Sequence, residues 1–101
     1  MIKVITAENF TQEVLENKGK VLLDLYADWC GPCKMLAPVI EQVANENNDI
    51  TIGKLNVDIS PEIAIRYNVV SIPTLILFEN GNVKDIKVGL VGKDTILGMI
   101  K

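Results

Sequence analysis

Cys30 and Cys33 are the only thiols in the chain, separated by Gly31 and Pro32. A Cys-x-x-Cys pair can ligate a metal, lock a small loop, or cycle between dithiol and disulfide. With no histidine anywhere, a zinc site would need two further ligands from carboxylates or a second chain, and a Cys–His relay is ruled out. A purely structural disulfide across so short a loop would remove little entropy from the unfolded chain, and a reducing compartment would open it. Thiol–disulfide exchange is the chemistry best matched to the pair. One thiolate attacks a substrate disulfide and the second resolves the mixed disulfide.

The position of the pair supports that choice. The nearly continuous apolar run Val21 to Tyr26 precedes it, and Met35, Leu36, Val39, Ile40, Val43 and Ala44 follow at helical spacing. The cysteines therefore fall where a buried strand ends and a helix begins. Unpaired N–H groups and the positive dipole end of a helix N-terminus favour thiolate over thiol, pulling a cysteine below its ordinary pKa of ~8.5. Cys30, ahead of the helix, is expected to be the more exposed sulfur and the nucleophile. Cys33, further in, is expected to be shielded and to act as resolver. Gly31 is expected to permit a tight backbone turn, and Pro32 to restrict φ at the helix start.

Asp24 lies between Leu23 and Leu25 in the apolar run. Desolvation there favours the neutral acid and raises its pKa toward the range where a carboxyl can carry protons. The alternative is an acid at a strand end that reaches solvent.

The elements that must position these groups follow from periodicity and punctuation. Ile2 to Ile5 reads as a strand. A helix is expected from Thr6, its N-cap, with Phe10, Val14 and Leu15 on one face and Gly19 at its end. Pro38 sits inside the helix after the cysteines and predicts a kink held by packing on both sides. Ile50 to Val57 reads as a strand, and Ser60-Pro61-Glu62 as the capped start of a short helix reaching Tyr67. Thr74 to Phe78 and Val83 to Val88 form a hairpin across Asn80-Gly81. A last helix from Lys93 places Ile96, Leu97 and Ile100 on one face, with Gly98 loosening its final turn. The order β-α-β-α-β-α-β-β-α predicts an α/β fold with a central mixed sheet flanked by helices.

Composition bounds the rest. At 101 residues the chain is expected to form one domain over residues 1–101. A net charge of −3 and hydrophobic content of 49% suit a soluble globular protein and argue against nucleic acid or an anionic membrane as partner. No apolar run reaches the length of a membrane span or of a signal-peptide core, so a cytoplasmic protein is expected.

The stretch Tyr26-Ala27-Asp28-Trp29-Cys30-Gly31-Pro32-Cys33-Lys34 resembles the active site of the thioredoxin family. Further landmarks at matching spacing are Asp24, Pro38, Lys54-Leu55-Asn56-Val57-Asp58, Ile72-Pro73-Thr74, Asn80-Gly81 and Val88-Gly89. The resemblance spans essentially the whole chain. It implies the thioredoxin fold, with a five-stranded mixed sheet and four helices, and it implies a monomeric protein-disulfide reductase active in electron transport and cell redox homeostasis. No bound cofactor or metal is implied. Reducing equivalents would come from NADPH through a separate flavoprotein, thioredoxin reductase, and disulfide-bearing proteins would be the substrates.

Carried over by residue, the resemblance makes Asp24 the buried group that deprotonates Cys33, with Lys54 tempering its pKa and Gly31 and Pro32 tuning the dithiol. Trp29, Val57, Ile72, Pro73, Val88 and Gly89 would form an apolar docking rim, with Pro73 cis and the Ile72 backbone pairing with an extended substrate. Departures are mild: Tyr26 and Leu25 stand where other aromatics are common, and Leu90 replaces a small residue. A different class of function, a scaffold of the same fold without redox turnover, would use the docking surface alone.

Overall fold

Strand β2 (Lys20–Tyr26) is buried from Val21 through Leu25, so it needs a packed layer on each face. In the computed structural model, which describes residues 1–101, it lies at the centre of a five-stranded sheet ordered β1-β3-β2-β4-β5. The other strands are β1 (Ile2–Val4), β3 (Thr51–Asn56), β4 (Thr74–Glu79) and β5 (Asn82–Val88). β1 and β2 both run parallel to β3, whereas β4 runs antiparallel to β2 and β5 antiparallel to β4. The mixed sheet expected from the element order is therefore present.

Alternation along β2 divides the core. Val21, Leu23 and Leu25 pack with Phe10, Val14, Ile63 and Phe78 on one face. Leu22 packs with Leu36, Ile40, Val43 and Ile96 on the other. Helices α1 (Gly31–Glu46) and α3 (Lys93–Ile100) cover this second face. The six-residue α2 (Pro61–Arg66) and a short helical segment near the N-terminus cover the first. α1 continues as one helix across Pro38 although that residue has no N–H to donate, because Leu36 before it and Ile40, Val43 and Ala44 after it are buried.

Three local expectations are corrected. The first helix is not capped by Thr6 and is far shorter than its apolar spacing suggests, a single π-helical turn at Thr11–Leu15. The Thr6 N–H instead donates to Asn9 Oδ1 at 2.7 Å, and Asn9 Nδ2 donates back to the Val4 carbonyl at 3.0 Å. The Thr6 carbonyl accepts the Asn9 N–H at 3.3 Å in a separate turn, and the bonds of the helical segment begin only at the Asn9 carbonyl, which accepts the Glu13 N–H at 2.9 Å. Ser60 makes no cap on α2. Its hydroxyl accepts the Ala7 N–H at 3.0 Å and ties the start of α2 to the turn that follows β1.

In α3 the buried stripe is Ile96, Met99 and Ile100, with Leu97 only partly covered. Its last turn is held rather than loosened, as Met99 and Ile100 are buried and Lys20 Nζ donates to the Ile100 carbonyl at 3.0 Å. The β4–β5 hairpin turns as expected, with φ of +52° at Asn80 and +79° at Gly81. A Cβ at Gly81 would also strike the Leu15 carbonyl oxygen. Gly98 is different: it is exposed, lies inside a helix, and has open space around the position of a Cβ. Replacing Gly98 with alanine should raise stability by roughly 0.5–1 kcal/mol. Thermal unfolding would register this as an upward shift of a few degrees, and a lower midpoint would contradict it.

Candidate active site

The chain leaves β2 through Ala27, Asp28 and Trp29 and enters α1 at Cys30, whose extended backbone (φ −88°, ψ 112°) makes it the N-cap residue. Its sulfur takes the place of a capping oxygen: Cys30 Sγ accepts the Cys33 N–H at 3.2 Å. The two cysteines form a disulfide with their Cα atoms 5.2 Å apart. Both residues are equally buried, at 4% exposure, so the expected difference in residue exposure is absent. The disulfide holds Cys30 Sγ over the helix start, where the pair packs with Ala27 and against Tyr26, Val57 and Ile72.

The two sulfurs nevertheless face different surroundings. Cys30 Sγ lies 3.8 Å from the Ile72 carbonyl oxygen. Cys33 borders a pocket of about 150 Å³ shared with Tyr26, Asp28 and Ala37. Gly31 and Pro32 form the exposed first turn of α1. Gly31 is helical and a Cβ there would meet nothing, so the tight-turn role expected of it is not needed.

Asp24 is 6% exposed and stands on β2 beside Lys54 of β3 and Leu75 of β4. It does not reach solvent as a strand-end acid would. Its Oδ1 is buried without a hydrogen-bond partner. Burial pushes its pKa up from the ordinary 3.8 to about 7, and the positive charge of Lys54 acts in the opposite sense. Lys54 is exposed and makes no ion pair with Asp24. Its Nζ lies 6.0 Å from the Tyr26 ring centre. Asp24 and Lys54 line a second pocket of about 70 Å³ with Ile40 and Ala37. Ala37 thus borders both the pocket of the acid and the pocket of Cys33.

Of the expected rim residues, Val57 and Ile72 pack against the cysteine pair, and Trp29 adjoins it in the chain. Trp29 is 70% exposed, which rules out a core role, and its Nε1 donates to Asp58 Oδ2 at 2.8 Å. Asp58 is a site neighbour that sequence reasoning missed, and 29 positions of separation leave no local signal for the pairing. Val57 is half-buried, its N–H donating to the Tyr26 carbonyl at 2.9 Å. The Ile72–Pro73 peptide is cis. Ile72 makes no backbone hydrogen bond within the chain, so its N–H and C=O are free to pair. Gly89, with φ of +93°, donates its N–H to the Pro73 carbonyl at 2.8 Å, and Val88 beside it is exposed.

A cysteine pair at the start of a helix, packed on a mixed sheet whose central strand carries a buried carboxyl, defines a thiol–disulfide oxidoreductase of the thioredoxin-fold class. Comparison with known proteins agrees over the full length. The thioredoxin family model matches residues 1–101. Thioredoxins of Chlamydia caviae and Chlamydia trachomatis are 49% and 47% identical over 100 residues, and that of Rickettsia felis 44% over 101 residues. Each alignment spans 99% of this chain and 96% of the relative. The chain belongs to the thioredoxin family, and its chemistry is the reduction of protein disulfides.

The buried acid has a consequence for stability. An unfolded chain releases the Asp24 proton near pH 4, whereas the folded chain keeps it to about pH 7. Folding is therefore progressively disfavoured as pH rises through that window, by on the order of 4 kcal/mol once both states are ionised. Asp24→Asn should raise the unfolding free energy measured by denaturant titration at pH 8 by a few kcal/mol and give little gain at pH 4. Equal gains at both pH values would show that ionisation is not the cause.

Proposed function

We propose that the chain reduces disulfides in partner proteins by a two-step exchange in which Cys30 is the nucleophile, Cys33 the resolver and Asp24 the proton carrier. The observation that carries this reading is the position of Cys30 Sγ, at once hydrogen-bonded to the N-terminal turn of α1 and 3.8 Å from the carbonyl oxygen of the unpaired residue Ile72. In the reduced protein the helix N-terminus favours the Cys30 thiolate. That thiolate attacks one sulfur of the substrate disulfide, forming a mixed disulfide and releasing the other sulfur as thiolate, which takes up a proton. Cys33 then gives up its proton and attacks Cys30 Sγ. The Cys30–Cys33 disulfide forms, the second substrate thiol departs, and two electrons have passed to the substrate.

Asp24 serves the second step. As a carboxylate it accepts the Cys33 proton, with a water between the two groups as the carrier, and only Ala37 is shared by the pocket of Cys33 and the pocket of Asp24. Lys54, facing the same pocket as Asp24, keeps the carboxylate accessible near neutral pH. Pro32 presets the backbone between the two sulfurs through its fixed φ, and Gly31 keeps the exposed helix start free of a side chain. Trp29, Val57, Ile72, Pro73, Val88 and Gly89 form the docking rim, where an extended substrate segment pairs with the Ile72 backbone as an added strand. The protein acts as a monomer in the cytoplasm, within electron transport and cell redox homeostasis. It is recharged by thioredoxin reductase, a flavoprotein fed by NADPH, and needs no bound cofactor or metal.

Dithiothreitol-driven reduction of insulin tests the reading. The wild-type chain should accelerate precipitation, and Cys30→Ser should return the rate to that of dithiothreitol alone. Equal rates with the two proteins, neither above that of dithiothreitol alone, would leave only a scaffold role. Asp24→Asn should slow single-turnover resolution most where Asp24 is ionised, at and above pH 7, and progressively less toward pH 5. An unchanged rate across that range would remove Asp24 from the mechanism.

A further inference from the structure

α2 contains six residues, and the chain turns away after it through Asn68, whose φ is +57°. So short a helix leaves the adjacent face of β5 without a helical cover. Ile86 and Val88, two apart on β5, share that face and are 44% and 60% exposed. Opposite them lies the segment 67–71, where Val70 is 95% exposed. Between the two runs a groove of about 320 Å³, lined by Tyr67, Val69, Val70, Thr74, Ile86 and Val88 among others and by no charged side chain. That volume is at the lower end of the ~300–1,000 Å³ typical of ligand sites, sufficient for a large side chain.

The groove is continuous with the dithiol's docking face. Val88 belongs to both, while Ser71 and Thr74 line the groove on either side of Ile72-Pro73. A polypeptide pairing with the free N–H and C=O of Ile72 would run along its mouth. Successive side chains of an extended segment point to opposite sides, so one beside the attacked cysteine would be directed toward the groove.

We propose that this groove is a specificity pocket for the substrate protein, receiving a large apolar side chain within two residues of the attacked cysteine, with Val70 and Ile86 as its selective walls. The proposal rests on the disulfide-reductase reading above and adds a sequence preference to it. The pocket selects among disulfides and takes no part in the exchange itself.

The test uses the reduced full chain and two peptide disulfides, identical except that the residues flanking the cysteine are leucine in one and serine in the other. Thiol release is followed in a single turnover. The wild-type chain should favour the leucine peptide by roughly tenfold. Ile86→Lys and, separately, Val70→Ser should each cut that preference to about threefold or less, whereas Val83→Lys, on β5 outside the groove, should keep it. Val70→Ser introduces no charge at a fully exposed position, so it reads the pocket even if Ile86→Lys perturbs folding. No preference in the wild type, or a preference that both wall substitutions leave intact, would overturn the proposal. Either failure would leave reduction of the serine peptide in place, whereas failure to reduce either peptide would refute the reductase reading itself. Sedimentation of the wild type addresses the rival occupant: a dimer that Ile86→Lys dissociates would assign the groove to a second copy of the chain instead.

Discussion

The site depends on one hydrogen bond, from the Cys33 N–H to the sulfur of Cys30. A helix of sixteen residues must begin somewhere, and its first amides need acceptors. Oxygen is the usual one. Here sulfur fills the role, so the need to satisfy a helix terminus and the need to stabilise a thiolate are met by the same atom. The interaction holds only because α1 is anchored along its length by Leu36, Ile40, Val43 and Ala44 against the sheet, which keeps its N-terminus from fraying.

A second constraint works against stability. Asp24 occupies a place in β2 that an apolar side chain would fill at less cost, and its Oδ1 lacks a partner. Lys54 offsets part of the desolvation by its charge without forming a contact ion pair. The strongly packed β2, with leucines on both sides of the acid, is what lets the fold carry this defect. Conflicts of this kind between local packing and side-chain chemistry are expected where a protein performs a reaction.

Much of this was legible in the residues because it arises from local rules. A carboxylate inside an apolar run, a Cys-x-x-Cys between a strand and a helix, and Asn-Gly between two alternating segments each carry their meaning within a few positions. The shortness of the first helix escaped because the separate turn at Thr6–Asn9 and the bond from Ala7 to Ser60 rest on contacts that no periodicity encodes. The pairing of Trp29 with Asp58 escaped for the same reason. The equal burial of the two cysteine residues depends on the disulfide between them and on Ile72, which packs against the pair from far beyond them in the sequence. The groove beside β5 is a matter of helix length, and element boundaries are the least certain part of any reading from sequence.

The amide of Gly89 is bonded to the carbonyl of Pro73, joining the loop that enters β4 to the loop that leaves β5 at the open end of the hairpin. These loops are therefore stitched into a single ledge. On the docking proposed above, a visiting polypeptide would meet a ledge held together before it arrives and would bear much of the entropic loss of association itself. Flexible or locally unfolded clients, which can conform to a fixed ledge, are thereby favoured over rigid ones whose disulfides lie flush with a folded surface.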